Sequence, residues 1–163
     1  MQRTIALIIL SVFLMFHLSA SEGTYGPESA QERILISYEP TRFKNRLLDQ
    51  LLERINTGDM YIQVTDHSSR GLEGLRAQDF DAVFITNSGA TAKVRPWVIE
   101  WLNDNGGNPE NVILHTTQIT DWEPKVEVDS VTSASYTNRG EIESLAEEFV
   151  REIRSKLSAG GGE

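Results

Sequence analysis

The chain has 163 residues, 39% of them hydrophobic, and a formal net charge of −9 at pH 7. That is enough for one domain with a real core and too little for two. The acidic balance excludes nucleic acid as an expected partner, because phosphate binding needs a basic face, and favours a basic protein instead. There is no cysteine, so disulfides and thiolate metal sites are excluded and stability has to come from packing.

Arg3 followed by an apolar run over residues 5–16 and by Ser19-Ala20-Ser21 reads as an export signal over residues 1–21. The run falls short of the roughly 20 residues a spanning helix needs. The expected product is periplasmic or extracellular, with no stable membrane insertion, and loss of Arg3 takes the net charge to −10. Residues 22–32, rich in Gly, Ser, Pro and Glu, read as a flexible tether before a domain over residues 33–157. Residues 158–163 read as a Gly-rich tail.

Ile34-Leu35-Ile36 is a continuous apolar run, as suits a strand buried on both faces. Phe43, Leu47, Leu48, Leu51, Leu52 and Ile55 then recur at helical spacing, and Thr57-Gly58-Asp59 stops them. A short strand over residues 61–65 and a polar turn lead to the clearest strand, Ala82-Val83-Phe84-Ile85-Thr86. Val94, Trp97, Val98, Trp101 and Leu102 form the face of the next helix, with Pro96 in its first turn. Val112-Ile113-Leu114 opens a fourth strand, and Ile142 to Leu157 carry a long amphipathic stripe.

Strands alternating with helices predict an α/β fold, a mostly parallel sheet of four to five strands with helices on both faces. The β-like residues 125–131 follow the fourth strand too closely for an ordinary crossover. They are expected as an antiparallel edge strand or as an excursion along the sheet's carboxyl edge.

The order, with ILISYEP, FDAVFITNSG and NVILHTT in these places, resembles the flavodoxin-like family over most of residues 33–157. The resemblance implies an FMN-type ligand, or a similar phosphorylated small molecule, at the carboxyl ends of the strands. Loops 38–45, 87–93, 117–122 and 132–138 should then share one rim. Thr41, Arg42 and Lys44 would meet the phosphate, although their loop lacks glycine, Pro40 removes a donor and Glu39 repels an anion. Asn87, Ser88 and Gly89 would offer amides and hydroxyls, and Trp122 and Tyr136 are the aromatics that could cover a flavin ring.

VDSVTSAS, residues 128–135, also resembles the flavin-attachment motif of exported FMN-binding domains, with Asp129, Thr132, Ala134 and Ser135 at or near the motif positions and Ser133 replacing its glycine. The resemblance implies esterification at Ser135. The same hydroxyls suit a helix entrance, and Asn138 with Glu141 is a capping-box-like pair. His67 and His115, without cysteine, make no transition-metal pattern; His115 reads as a hydrogen-bonded core or rim residue. Three functions follow: an exported redox accessory that binds FMN, with a redox protein as a candidate partner; a cofactor-free protein-binding module on the same scaffold; or a domain that carries flavin covalently at Ser135. None of these readings makes the chain a stand-alone enzyme.

Overall fold

Ile34 and Ile36 enter one hydrophobic core and Leu35 enters another, as period-two side chains between two covering layers require. The structure, a computed structural model, describes residues 22–55, 58–67, 71–89, 93–120 and 122–160. The predicted export signal lies outside the described residues. In chain order come β1 (Gly23–Tyr25), β2 (Glu32–Tyr38), α1 (Arg42–Ile55), β3 (Met60–Asp66), a 3-10 turn (Ala77–Asp79), β4 (Ala82–Ser88), α2 (Pro96–Asp104), β5 (Val112–Thr117), β6 (Asp129–Ser133) and α3 (Arg139–Gly160).

One sheet joins the strands in the order β1-β3-β2-β4-β5-β6. β2 to β6 are parallel, and β1 runs antiparallel against β3. α1 and α3 cover one face with Leu47, Leu51, Phe149 and Ile153; α2 and the 3-10 turn cover the other with Val98, Trp101, Leu102 and Ala77. The connection from β2 to β3 crosses the α1 face, while those that step in the other direction along the sheet cross the α2 face. The crossovers therefore share one hand, as the right-handed rule for parallel strands demands.

Three expectations change. The last strand is parallel, not antiparallel, and begins at Asp129 rather than at residue 125. The connection from Thr117 to Asp129 is long enough to cross back, since a chain can advance up to roughly 3.3 Å per residue. Val126 and Val128 pack onto the α2-side core on the way, doing for this connection what an apolar helix face does elsewhere. The predicted tether contributes β1, so the sheet has six strands. Gly26, with φ +77°, turns the chain out of β1 where any Cβ would collide with the Met60 carbonyl oxygen. At the other end α3 continues through Gly160, three residues into the predicted tail. Among the described residues no helix is long and apolar enough to cross a membrane.

Phe149 joins α3 to the sheet. Phe149 is fully buried, with its ring centroid 4.8 Å from those of both Phe84 and His115. Phe149→Ala is expected to cost about 3–5 kcal/mol through lost transfer energy and the cavity left behind. Urea denaturation of the variant checks this, and a shift below 1 kcal/mol would show that α3 is not seated as described.

Candidate functional site

Because β2 to β6 are parallel, Tyr38, Asp66, Ser88, Thr117 and Ser133 all lie at one edge of the sheet. Backbone bonds lace the segments beyond them together: Glu39 N–H to Thr86 O at 3.2 Å, His67 to Tyr38 at 3.0 Å, Gly89 to Thr117 at 2.7 Å and Gln118 to Ser133 at 2.9 Å. The loops grouped by the sequence do share a rim.

At its centre lies a charged cluster. Lys44 belongs to the buried stripe of α1, which continues through Leu47, Leu48, Leu51 and Ile55, so its side chain is fully enclosed. Its Nζ donates to Ser88 Oγ at 2.7 Å and lies 3.6 Å from Glu39 Oε2. The Ser88 N–H donates to the same carboxylate oxygen at 2.9 Å, and Arg95 Nη2 donates to Glu39 Oε1 at 2.5 Å. Burial works to raise the Glu39 pKa, but the bonds from Arg95 and Ser88 and the Lys44 charge outweigh it and hold the carboxyl at about 2. Burial lowers the Lys44 pKa to about 8 against the opposing pull of Glu39. At neutral pH the cluster carries one carboxylate and two cations.

Two histidines lie beside it, both tied to Thr86. The Ser133 hydroxyl donates to Ala134 O at 2.9 Å, so it accepts from His115 Nε2–H at 2.9 Å, and the Thr86 hydroxyl donates to His115 Nδ1 at 2.9 Å. His67 Nε2 donates to Thr86 O at 2.8 Å, and its Nδ1 accepts from the Trp97 indole at 3.2 Å. Each ring is satisfied as the neutral tautomer. Burial pushes the His115 pKa down to about 3 and lowers that of His67. These are structural rings, and among the described residues no group of three or more His, Asp or Glu could hold a metal ion.

On the α2 face of the same rim, buried polar atoms lack partners among the described residues: Asn87 Nδ2, Arg95 Nε, Thr116 Oγ1, Gln118 Oε1 and Trp122 Nε1, together with Ser37 Oγ nearer the middle of the sheet. Asn87 and Thr116 are paired across β4 and β5. Asn87 Oδ1 accepts the Arg95 N–H at 3.1 Å. The Trp122 ring lies so close over Gly89 and Thr116 that a Cβ at Gly89 would run into it, which is why glycine is required there. Buried unpaired groups of this kind ordinarily bind water or a ligand.

The remaining predicted site residues divide between the two sides of the sheet. Thr41 caps α1, accepting the Lys44 N–H at 3.2 Å. Arg42 and Arg46 stand with Thr41, Phe43, Ser135, Tyr136 and Thr137 around a groove of about 560 Å³. Tyr136 meets Phe43 edge-on at 6.1 Å and packs on the α1 and α3 core. Tyr136 and Trp122 thus lie on opposite faces and do not form a common clamp. Thr132 is exposed on β6, while Ser133 is buried against His115. The stretch read as a helix entrance or attachment motif is largely a strand. Asp129, at the opposite end of that strand from Ser135, takes Lys156 Nζ at 2.5 Å. Extended backbone at roughly 3.3 Å per residue keeps it away from Ser135. Asn138 does cap α3, accepting the Gly140 N–H at 2.8 Å.

Lys44 and Arg95 do not offer an FMN phosphate a free charge, whereas Arg42 and Arg46 line the groove beside Thr41. The loop after β2 lacks glycine, and Lys44 and Arg95 are both engaged by Glu39. Sequence reasoning identified Glu39 as repulsive but missed Arg95 and the burial of Lys44. The signal for Lys44 was its place in the apolar period of α1; nothing local marks Arg95, which meets Glu39 across 56 positions.

Two outcomes test this electrostatic account. Glu39→Ala leaves Lys44 buried without its carboxylate and is expected to cost about 3 kcal/mol, most of it recovered in Glu39→Ala/Lys44→Met, since methionine suits the apolar stripe. Urea midpoints of the three variants decide it; a double variant no more stable than the single one would refute the account. For His115 the folded pKa lies below the unfolded value of 6.5, so the unfolded chain binds more protons between them. Stability should therefore rise with pH from about 3 to 6.5 and fall as acid is added across that window. Imidazole nitrogen shifts of His115 should remain those of the neutral Nε2–H form at pH 5.

No family model matches the chain, and no curated protein does. Among solved structures it is similar to the metal-soaked Flv1 flavodiiron core from Synechocystis sp. PCC6803, with a TM-score of 0.50 and 6% identity, over 80% of this chain and 37% of that one. It is also similar to a flavodoxin from the domain Archaea, with a TM-score of 0.46 and 11% identity, over 75% of this chain and 99% of that one. The chain thus spans well under half of the flavodiiron core. At these identities the likeness concerns fold alone. Together with the α/β layering and the parallel strands β2 to β6, it establishes that this chain has a flavodoxin-like fold.

Proposed function

We propose that the chain is an exported, flavin-free binding domain that engages a protein partner through the carboxyl rim of its sheet. The observation that carries this reading is the Glu39 carboxylate between Lys44 and Arg95. Two cations of the rim, Lys44 and Arg95, are engaged from within the chain, which weakens the phosphate contribution to cofactor affinity. Ile119, 92% exposed on the loop after β5, gives the rim an apolar contact. The net charge of −9 favours a basic partner and fast encounter with it. Export follows from the apolar segment over residues 5–16.

A second reading, FMN or a similar small ligand with a redox accessory role, is favoured by the unpaired Asn87, Thr116, Gln118 and Trp122 atoms. Absorbance spectra and FMN titration followed by tryptophan fluorescence separate the two. The first reading expects a colourless protein whose Trp122 emission is unchanged by FMN up to about 1 mM, a level that would reveal even weak binding. A yellow protein, or saturable quenching by FMN, would replace it with the second.

A further inference from the structure

The two oxygens of Glu39 meet three donors from three different segments: Lys44 Nζ from α1, the Ser88 N–H from the end of β4, and Arg95 Nη2 from the approach to α2. Lys44 is 0% exposed and cannot turn its ammonium to solvent. The Glu39 backbone is itself held by Thr86 O at 3.2 Å, which keeps the carboxylate at a high local concentration over these donors. Donors gathered in this way around a half-buried carboxylate constitute an oxyanion site whose occupant is part of the chain.

We propose that Glu39 is a built-in anion that closes an oxyanion site made of Lys44, Ser88 and Arg95, and that this site accepts a phosphate-type dianion once the carboxylate is removed. This rests on the flavin-free reading and deepens it by naming the residue that decides against phosphorylated ligands. Charge supports the assignment. With Glu39 present the two cations face a single negative charge; with Glu39 gone a phosphate dianion balances both. A phosphate arriving beside the intact carboxylate meets an occupied site and a like charge.

The test compares wild type, Glu39→Ala, Glu39→Ser and Glu39→Ala/Lys44→Met by calorimetric titration with inorganic phosphate at low ionic strength. Glu39→Ser also removes the charge and withdraws the side chain from the donors, and serves should the alanine variant fail to fold. Folded Glu39→Ala or Glu39→Ser is expected to bind phosphate about 100-fold tighter than wild type, and the gain should disappear in the double variant. A folded charge-removed variant that binds phosphate no tighter than wild type overturns the proposal, as does a gain that survives Lys44→Met. Parallel titration of wild type with riboflavin and FMN keeps the two readings apart. Equal binding of both defeats the flavin-free reading while leaving phosphate exclusion intact; tighter binding of FMN than of riboflavin defeats both.

Discussion

A lysine ammonium with no route to water is the constraint around which the rim is organised. Lys44 sits where α1 must press its apolar stripe onto the sheet, and a charge in that position is tolerated only with a counter-charge and enough acceptors. Glu39 supplies the first and Ser88 Oγ the second. Arg95 then binds the other side of the carboxylate. The loop after β2, the end of β4 and the approach to α2 are thereby fixed to one another by charge rather than by hydrophobic contact.

Thr86 plays the neutral counterpart. Its carbonyl accepts both the Glu39 N–H and His67 Nε2, and its hydroxyl serves His115. One β4 residue therefore links the charged cluster, the α2 side through His67 and Trp97, and the α3 side through His115 and Phe149. Such networks are stiff when every member is satisfied. Neighbouring Asn87, Thr116, Gln118 and Trp122 atoms, together with Arg95 Nε of the charged cluster, lack partners among the described residues, so the α2 side of the rim has hydrogen-bonding capacity to spare.

The flavodoxin-like layering leaves function open, as superfolds do. At the rim of this chain Glu39 lies between two cations, and Trp122 packs close to Gly89. Ile119 stands exposed beside them on an acidic chain.

Periodicity in the sequence determined the layers: the Ile34-Leu35-Ile36 and Ala82-Val83-Phe84-Ile85-Thr86 runs, the stripe of α1 and that of α3 all mark elements whose burial depends on local spacing. The sequence also showed that the loop after β2 departs from a glycine-rich phosphate loop, because the lack of glycine and the presence of Glu39 are local facts, while leaving Thr41, Arg42 and Lys44 as candidates to hold an anion. Tertiary structure alone decided the rest. β1 draws its stability from pairing with β3 rather than from its own Gly-Thr-Tyr sequence. β6 is parallel because residues 126 and 128 find an apolar face to cross, and Arg95 acquires its role only when the sheet brings it to Glu39. Strand pairing and ion pairing between distant segments are properties of the assembled layers, and a single chain read residue by residue carries no local energy term for either.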